Sequence, residues 1–544
     1  MQIVAVILLA ASLARALPAG PGSCSNIICK IVSRDRLSDL TWPDFADYHS
    51  RLLAFYAPAY SPAWLENGKP TAKALAMIAL LKAADLKGLK PEDYDANLWG
   101  ERIAHLEIDR SEFDVELTVC LMRFLADLHY GKASPGFFHL DPKYQDFDVP
   151  AFLRAKLMPS PDPSALLAAE VEPPFEGYKR AEQALPNYLA LARRPETRLA
   201  DITATIEPGS EYPELPLLAQ RLRELGDLPA AEPIAADSHL YQDFMVEAVK
   251  RFQERHGLEP DGRIGEATME QLNVPLSQRV LQLRLSMERW RWIPHTFSHP
   301  PIVVNIPEFM LRTLNKSYET DLEMKVVVGS AYETQTPVFL ANLTQITFRP
   351  YWNVPSSILE NEMAPKLAAD RDYLSTHRYQ VVNTAERVIP TPDGLSDGVL
   401  KDLLNGTYRL RQIPGPDCAL GLIRFGIPNE HNVYLHDTPS QTLFSMSRRD
   451  FSHGCVRVEH PVLLAEWCLR ETGRWTPARI LGAEHGARTF EVNLKKPIPV
   501  LLVYATAVVM RNGAVHFAND IYRQDAILEN RLAQGYPSRT TTGP

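Results

Sequence analysis

The sequence predicts a multi-domain α+β protein in which helical units come first and a mainly-β domain comes last. Its 544 residues are too many for one compact domain. At about 100–200 residues per domain, the length predicts roughly three or four domains. Apolar residues recur at helical spacing through the first half of the chain. From Pro301 they gather instead in short β-branched runs, which glycine, proline and asparagine separate.

Composition and charge argue against two broad classes of protein. Apolar residues make up 45% and charged residues 23% of the chain, which are ordinary values for globular domains and argue against a largely disordered chain. The 57 Lys and Arg residues against 66 Asp and Glu leave a net charge of −9. Because nucleic-acid-binding proteins normally carry a basic surface, no nucleic-acid partner is expected.

Residues 1–16 have the pattern of a secretory signal peptide. An apolar run over 3–11 is followed by Ala14, Arg15 and Ala16, which fit the small-x-small cleavage pattern. No Lys or Arg precedes the run, which departs from that pattern, and a short buried helix is the alternative. No later segment reaches the roughly 18 apolar residues of a membrane span. We therefore expect export from the cytoplasm, cleavage after Ala16 and no transmembrane span in the mature protein.

The six cysteines are too few for a disulfide scaffold. Cys24 and Cys29 are close enough in sequence to form a disulfide in an oxidising compartment, although spacing alone does not establish the bond. No CxxC pair is present, so neither a zinc ribbon nor a thioredoxin-type site is expected.

Residues 37–210 are expected to form a helical scaffold domain. The segment 72–86 has apolar residues at helical spacing and is followed by Gly88, a helix stop signal. The segment 116–128 repeats this pattern, and 180–192 does so with Pro186 inside it, which should kink or split the helix. No catalytic combination of side chains is evident in this region, so we interpret it as scaffold.

Residues 214–275 are expected to form a compact unit of three helices. The first covers 217–225 and stops at Gly226, the second covers 243–256, and the third follows Gly265. The run AVKRFQERHGLEPDGRIGEATMEQLN, over 248–273, resembles the common three-helix peptidoglycan-binding domain. The alternative is a small helical bundle that binds no ligand, since fold alone does not determine function.

Residues 300–525 are expected to form the mainly-β domain, followed by a C-terminal tail over 526–544. Apolar β-branched runs predict strands at 302–306, 325–329, 341–348, 433–435, 500–510 and 514–517, the last two joined by a turn and completing the same sheet. The segment 357–413 interrupts these runs and contains helix-like stretches at 358–369 and 398–404. An insertion of this size is often a lid, so we expect a helical lid over a site.

The most informative residues are a thiol and two imidazoles in the β domain. Cys455 follows His453 by two positions, and His436 ends a strand-like run nineteen positions upstream. A thiolate is a strong nucleophile and an imidazole nearby can stabilise it. A helix predicted at 462–469 would place Cys455 near a helix amino end, which also favours a thiolate. The N–H groups of Gly454 and Cys455 could bind an oxyanion.

Two other interpretations of these residues stay open on the sequence alone. The first is a buried cysteine accompanied by two surface histidines. The second is a zinc site formed by His436, His453 and Cys455, although His-x-Cys is not a usual structural zinc spacing.

The combination of His436 with the Ser452-His453-Gly454-Cys455 run resembles the signature of L,D-transpeptidases with a YkuD-type catalytic domain. Further similar stretches are PYWNVP at 350–355, QIPGP at 412–416, ALG at 419–421 and DIY at 520–522. With the helical units, the chain resembles the large, multi-domain periplasmic members. Two positions depart from the usual pattern: Arg457 stands where many members have asparagine, and Cys418 where an asparagine is usual.

The resemblance implies an enzyme that acts on peptidoglycan stem peptides without a metal or other cofactor. Cys455 would attack a tetrapeptide donor to form a thioester, and the side-chain amine of a diamino-acid acceptor would resolve it into a 3→3 cross-link. His436 would be the general base, oriented by the backbone carbonyl of Asp437, while His453 and Gly454 would shape the site. The expected substrate-binding residues are Arg457, Ser452, Tyr351, Trp352, Asn353 and Tyr434.

The resemblance also implies that carbapenem-type β-lactams acylate Cys455. Two alternatives for the whole chain remain: an L,D-carboxypeptidase that uses water as acceptor, and a wall-binding scaffold without catalytic activity.

Overall fold

The computed structural model describes residues 26–106, 110–133, 136, 147–230, 238–332, 334–370, 372–391 and 394–536. The expected signal peptide and Cys24 lie outside these residues. The chain divides into two compact units, one from the described residues of 1–82, 92–123 and 148–159, the other from those of 83–91, 124–147 and 160–544. Within the described residues, no helix combines the length and apolar character needed to cross a membrane.

The first unit is mainly helical, as the sequence predicts. Its elements are α1 (Ile27–Val32), α2 (His49–Tyr56), the short hairpin β1 (Leu65–Glu66) and β2 (Lys69–Pro70), α3 (Ala72–Lys82), α4 (Trp99–Ala104), much of α5 (Arg110–Tyr130) and α6 (Val149–Phe152). Buried polar groups join them: the Tyr56 hydroxyl donates to Asp114, and the Trp64 indole N–H donates to Thr118. Such satisfied buried contacts are typical of a structural core.

After the end of α5, six helices of the second unit precede the β domain, and three of them lie in the region expected to form the small bundle. They are α7 (Pro163–Glu170), α8 (Glu176–Leu191), α9 (Leu215–Leu225), α10 (Phe244–Arg255), α11 (Glu266–Leu272) and α12 (Leu276–Arg291). Leu222, Phe252 and Leu272 of α9–α11 are fully buried in one apolar cluster. Gly226 ends α9 at φ +85°, a conformation that glycine adopts without strain. Helix α12 is an element that the sequence analysis did not predict.

The β domain is built on a nine-stranded sheet. Its strands are β3 (Ile302–Asn305), β4 (Met310–Leu314), β5 (Thr320–Gly329), β6 (Phe339–Phe348), β11 (Ile423–Gly426), β12 (Leu435–His436), β13 (Asp450–Ser452), β14 (Val456–Val458) and β15 (Phe490–Val503). The order is β13-β5-β14-β12-β11-β6-β15-β3-β4, and β4 also pairs with β5. That additional pairing joins the far end of the sheet back to β5 and closes the strands from β5 to β4 into a ring. Strands β12 and β14 are direct neighbours in it.

The insertion has a sheet and an apolar core of its own. Strands β7 (Trp352–Asn353), β8 (Tyr379–Val382), β9 (Val388–Ile389) and β10 (Arg409–Gln412) pair in the order β7-β10-β8-β9. Its helices are α13 (Ser356–Ile358), α14 (Ala364–Ala369), α15 (Tyr373–Thr376) and α16 (Asp397–Leu404). Leu359, Leu367, Val381 and Leu410 are buried together. The expectation of a purely helical insertion was therefore incomplete, because its strands are too short to stand out in the sequence.

The remaining elements follow or flank the sheet. They are α17 (Pro461–Leu469), α18 (Pro477–Glu484), β16 (Ala507–Val509), β17 (Val515–Phe517) and α19 (Gln524–Ala533). Among the described residues, strands β16 and β17 pair only with each other. The prediction that 500–517 completes one sheet was thus wrong for the part beyond Val503.

Candidate active site

The thiol and the upstream imidazole lie on the same face of the sheet. Strands β12 and β14 are parallel, with Leu435 opposite Val456 and His436 opposite Arg457. Because successive side chains alternate between the two faces of a strand, Tyr434 and His436 share a face with Cys455 and Arg457. The register thus brings the predicted nucleophile and base to one surface, although nineteen positions separate them in sequence.

The Cys455 thiol is partly buried and surrounded by polar groups. The Tyr434 hydroxyl hydrogen-bonds to the sulfur, which lies 3.8 Å from the carbonyl oxygen of Asn432. Burial raises the thiol pKa above its ordinary value, and the Tyr434 hydrogen bonds and the charges of Arg457 and Arg424 only partly oppose it. The thiol is therefore protonated in the resting site at neutral pH.

The expected helix effect on Cys455 is not present. The cysteine directly precedes strand β14, and helix α17 begins only at Pro461. Since the helix dipole acts within about one turn of the helix end, it does not reach the sulfur. Five residues, three of them in strand β14, separate Cys455 from α17, so the cysteine is not at the helix amino end as the sequence analysis expected.

His436 is buried and held in one orientation by the main chain. Its Nδ1 lies 2.5 Å from the carbonyl oxygen of Asp437. A carbonyl oxygen can only accept, so Nδ1 carries the proton and Nε2 is left with a free lone pair. Burial, with the charges of Arg457 and Arg424, lowers the His436 pKa to about 3. The imidazole is therefore neutral, and its Nε2 can accept a proton from a neighbouring group.

The carboxylate of Asp437 fixes the preceding turn. It accepts the N–H groups of Leu422 at 2.8 Å and of Thr438 at 2.7 Å. Gly421 packs against it at φ +59°, and a Cβ at this position would lie 2.2 Å from the Asp437 Oδ2. Only glycine fits, so the ALG stretch holds the segment whose carbonyl orients His436.

Ser452 fixes the loop that carries the thiol. Its hydroxyl donates to the Cys455 carbonyl oxygen at 2.5 Å and accepts the Gly454 N–H at 3.1 Å. Gly454 has φ +107°, which side-chain-bearing residues rarely adopt. The Gly454 N–H is therefore engaged within the loop, and the Ser452 side chain is buried, at 4% exposure, against the loop main chain.

His453 contacts the insertion through Glu362. Its Nε2 forms an ion-pair contact with Glu362, and both side chains are half-exposed. The alternative zinc site of His436, His453 and Cys455 is therefore not assembled, and the described part of the chain brings no three His, Cys, Asp or Glu side chains together as metal ligands.

Comparison with known proteins agrees with this geometry. Residues 300–487 match the L,D-transpeptidase catalytic domain (YkuD), 50–185 match a "Scaffold domain", and 211–272 match a "Putative peptidoglycan binding domain". This chain carries a YkuD L,D-transpeptidase domain. A "Putative L,D-transpeptidase" of Haemophilus influenzae is 34% identical over 244 residues, which are 45% of this chain and 48% of that protein. The chain thus spans about half the length of this curated relative.

Other expected substrate residues of the L,D-transpeptidase domain directly precede the 357–413 insertion, where strand β7 pairs with β10 of the insertion. Trp352 and Asn353 form strand β7, and the Trp352 ring lies 6.3 Å from that of Tyr379 among residues of the insertion core. Tyr351 is 39% exposed, with the Arg411 guanidinium 4.4 Å from its ring centroid. Trp352 is thus part of the core of the insertion, and Tyr351 and Asn353 lie at its surface.

Cys418, the second departure from the usual pattern, is a buried group. Its sulfur lies 3.7 Å from the Pro350 carbonyl oxygen, it is 1% exposed, and burial raises its pKa. It is therefore an unreactive thiol in this structure.

Arg424 is a site residue that the sequence analysis missed. It lies directly opposite His436 in the β11–β12 pair, and its guanidinium is 5.6 Å from the Tyr434 ring centroid. One signal could have indicated it: a single arginine in the otherwise apolar strand segment LIRFGI.

Proposed function

We propose that the chain is an L,D-transpeptidase that forms 3→3 peptidoglycan cross-links through a thioester on Cys455. One observation carries the proposal: the thiol shares a sheet face with an imidazole whose Nδ1 is held by the Asp437 carbonyl oxygen. That arrangement leaves Nε2 available to take the thiol proton, which general-base activation of a sulfur requires. The domain match supports the same reaction class.

The first half of the reaction builds the acyl-enzyme. As Sγ attacks the carbonyl carbon of the third residue of the tetrapeptide, its proton passes to Nε2 of His436. The Cys455 N–H, which no acceptor in the described chain occupies, binds the oxygen that becomes negative. His436 then gives its proton to the departing amine of the terminal D-Ala, and the carbon–nitrogen bond breaks to leave a thioester.

The second half transfers the acyl group. The side-chain amine of a diamino acid on another stem attacks the thioester carbon and loses a proton to His436. The carbon–sulfur bond breaks, and the returning proton restores the thiol. The thioester conserves the energy of the cleaved peptide bond, so no nucleotide or metal is required, which suits the compartment outside the cytoplasm that the 1–16 segment predicts.

The resting protonation states of Cys455 and His436 fit general-base catalysis better than a resting ion pair of thiolate and imidazolium. Burial keeps the thiol protonated and the imidazole neutral, so proton transfer accompanies attack. The Tyr434 hydroxyl can then donate to the developing sulfur anion. In this proposal the insertion is a lid, since its Glu362 contacts His453 beside the thiol, and the 214–275 unit binds the cell wall.

The test is incubation of the purified protein with tetrapeptide stems. Cross-linked dimers are the expected product, whereas tripeptide alone would assign an L,D-carboxypeptidase. Intact-mass measurement should show one acyl adduct from the stem or a carbapenem. Cys455→Ala should lose both adduct and dimer, and Cys468→Ala, which removes another free thiol of the same domain, should keep both. Dimers from Cys455→Ala would refute the proposal and favour a different nucleophile.

A further inference from the structure

Two arginines flank His436 on the face of the sheet that carries the thiol. Arg424 of β11 lies directly opposite His436, and Arg457 of β14 lies opposite it on the other side. Paired residues of neighbouring strands point to the same face, so the three side chains form one row across the sheet. Tyr434 and Cys455 form the adjacent row. Both guanidinium groups thus belong to the sheet face that carries the thiol.

Neither guanidinium has a strong partner within the described chain. The Nε atoms of both arginines are buried and lack a hydrogen-bond acceptor there. Arg424 reaches Thr347 only at 3.5 Å and Glu491 only at 4.0 Å, and the Glu491 side chain is 51% exposed. Exposed ion pairs contribute little to stability, and buried donors normally have acceptors. The Arg424 side chain is 28% exposed, so a ligand can reach its guanidinium and supply an acceptor.

We propose that Arg424, together with Arg457, binds a carboxylate of the donor stem peptide beside the scissile bond. The inference rests on the proposed function and adds to it the chemical feature by which the donor is recognised. The planar guanidinium group matches a carboxylate with two parallel hydrogen bonds. The donor offers this group from two sources: the C-terminal carboxylate of the leaving D-Ala and the second carboxylate of the third-position diamino acid.

The experiment measures the rate of Cys455 acylation by mass, at donor concentrations below saturation. Three donors are compared: the free acid, the C-terminal amide and the amide of the diamino acid's second carboxylate. The variants are Arg424→Gln, Arg424→Lys and, as controls, Arg511→Gln and Glu491→Gln. Arg511 is exposed and its guanidinium donates to the Thr320 carbonyl oxygen, so its loss should not change acylation.

For wild-type protein, amidation of the bound carboxylate should slow acylation by roughly 10- to 100-fold, since hydrogen bonds to charged groups contribute on this scale. With the free acid, Arg424→Gln should be acylated more slowly than the wild type by a similar factor. The amide that slows acylation of the wild type should slow acylation of this variant little further. Arg424→Lys should retain part of the rate on the free acid. Glu491→Gln should keep or increase that rate, because it removes a competing carboxylate. The amide that shows the effect identifies the source of the carboxylate.

Other results would overturn the inference. Equal losses of Arg424→Gln on the acid and both amides would mean that the arginine acts on His436 or on folding, and an unchanged rate would mean that it has no role. If no donor acylates the wild type, both the inference and the proposed function fail. If the wild type is acylated, but amidation of the donor changes its rate and that of Arg424→Gln by the same factor, only the inference fails.

Discussion

Ser452→Ala tests whether the hydroxyl of Ser452 positions the catalytic loop. The hydroxyl makes two hydrogen bonds, to the Cys455 carbonyl oxygen at 2.5 Å and from the Gly454 N–H at 3.1 Å. Alanine leaves both main-chain groups without this partner. An unsatisfied buried polar group costs about 1–3 kcal/mol. Two main-chain groups lose their partner, but water can partly replace it at the carbonyl of the half-buried Cys455. We therefore expect the free energy of unfolding to fall by about 2–4 kcal/mol.

The same substitution should slow acylation of Cys455 by at least about tenfold, because small misplacements of reacting groups reduce rates by up to about 100-fold. Urea unfolding gives the stability, and intact-mass kinetics give the rate. Ser452→Thr keeps the hydroxyl and should retain much of both, while Ser440→Ala, at an exposed loop position, serves as the matched control. Wild-type stability in Ser452→Ala, or lost stability with an unchanged acylation rate, would refute the positioning role.

Three further predictions concern the same site. His436→Ala should slow acylation by about 10²–10⁴-fold, the usual contribution of a general base, and His453→Ala much less; the reverse order would reassign the base. Because burial raises the Cys455 pKa, alkylation by iodoacetamide should be slower at pH 7 than that of free cysteine and should keep rising through pH 9; a plateau below pH 8 would contradict a protonated resting thiol. Gly421→Ala places a Cβ 2.2 Å from the Asp437 Oδ2 at φ +59°, so the free energy of unfolding should fall by about 1–3 kcal/mol in urea titrations; an unchanged value would show that the turn relaxes.

The sequence allows prediction of most secondary-structure elements and of the pairing of Cys455 with His436. It does not allow prediction of the protonation states of these two side chains. The Ser-His-Gly-Cys run and the strand-like segment before His436 were enough to propose that these residues meet, and the β12–β14 register puts them on one face. The ionisation of the thiol depends on burial by distant segments, which no local pattern reports. The helix after Cys455 was predicted correctly, yet strand β14 separates it from the cysteine along the chain.

Long-range pairing explains the other differences between sequence and structure. Arg424 belongs to the site because β11 pairs antiparallel with β12, and the sequence between them gives no register. The strands of the insertion are two to four residues long, which is too short for alternation to be recognised. By contrast, Gly226 and Gly88 end helices in the left-handed conformation where the sequence predicts a stop.

The two arginines connect substrate binding to proton transfer. In the free protein burial, together with their positive charges, holds the His436 pKa at about 3, so an imidazolium beside them is costly. A bound carboxylate would offset part of that charge and lower the cost of moving the thiol proton to Nε2. The donor would thereby improve the base that acts on its own carbonyl, so removing the carboxylate should lower the maximal acylation rate as well as the affinity. Interactions of this kind act in the transition state and not only in the bound ground state.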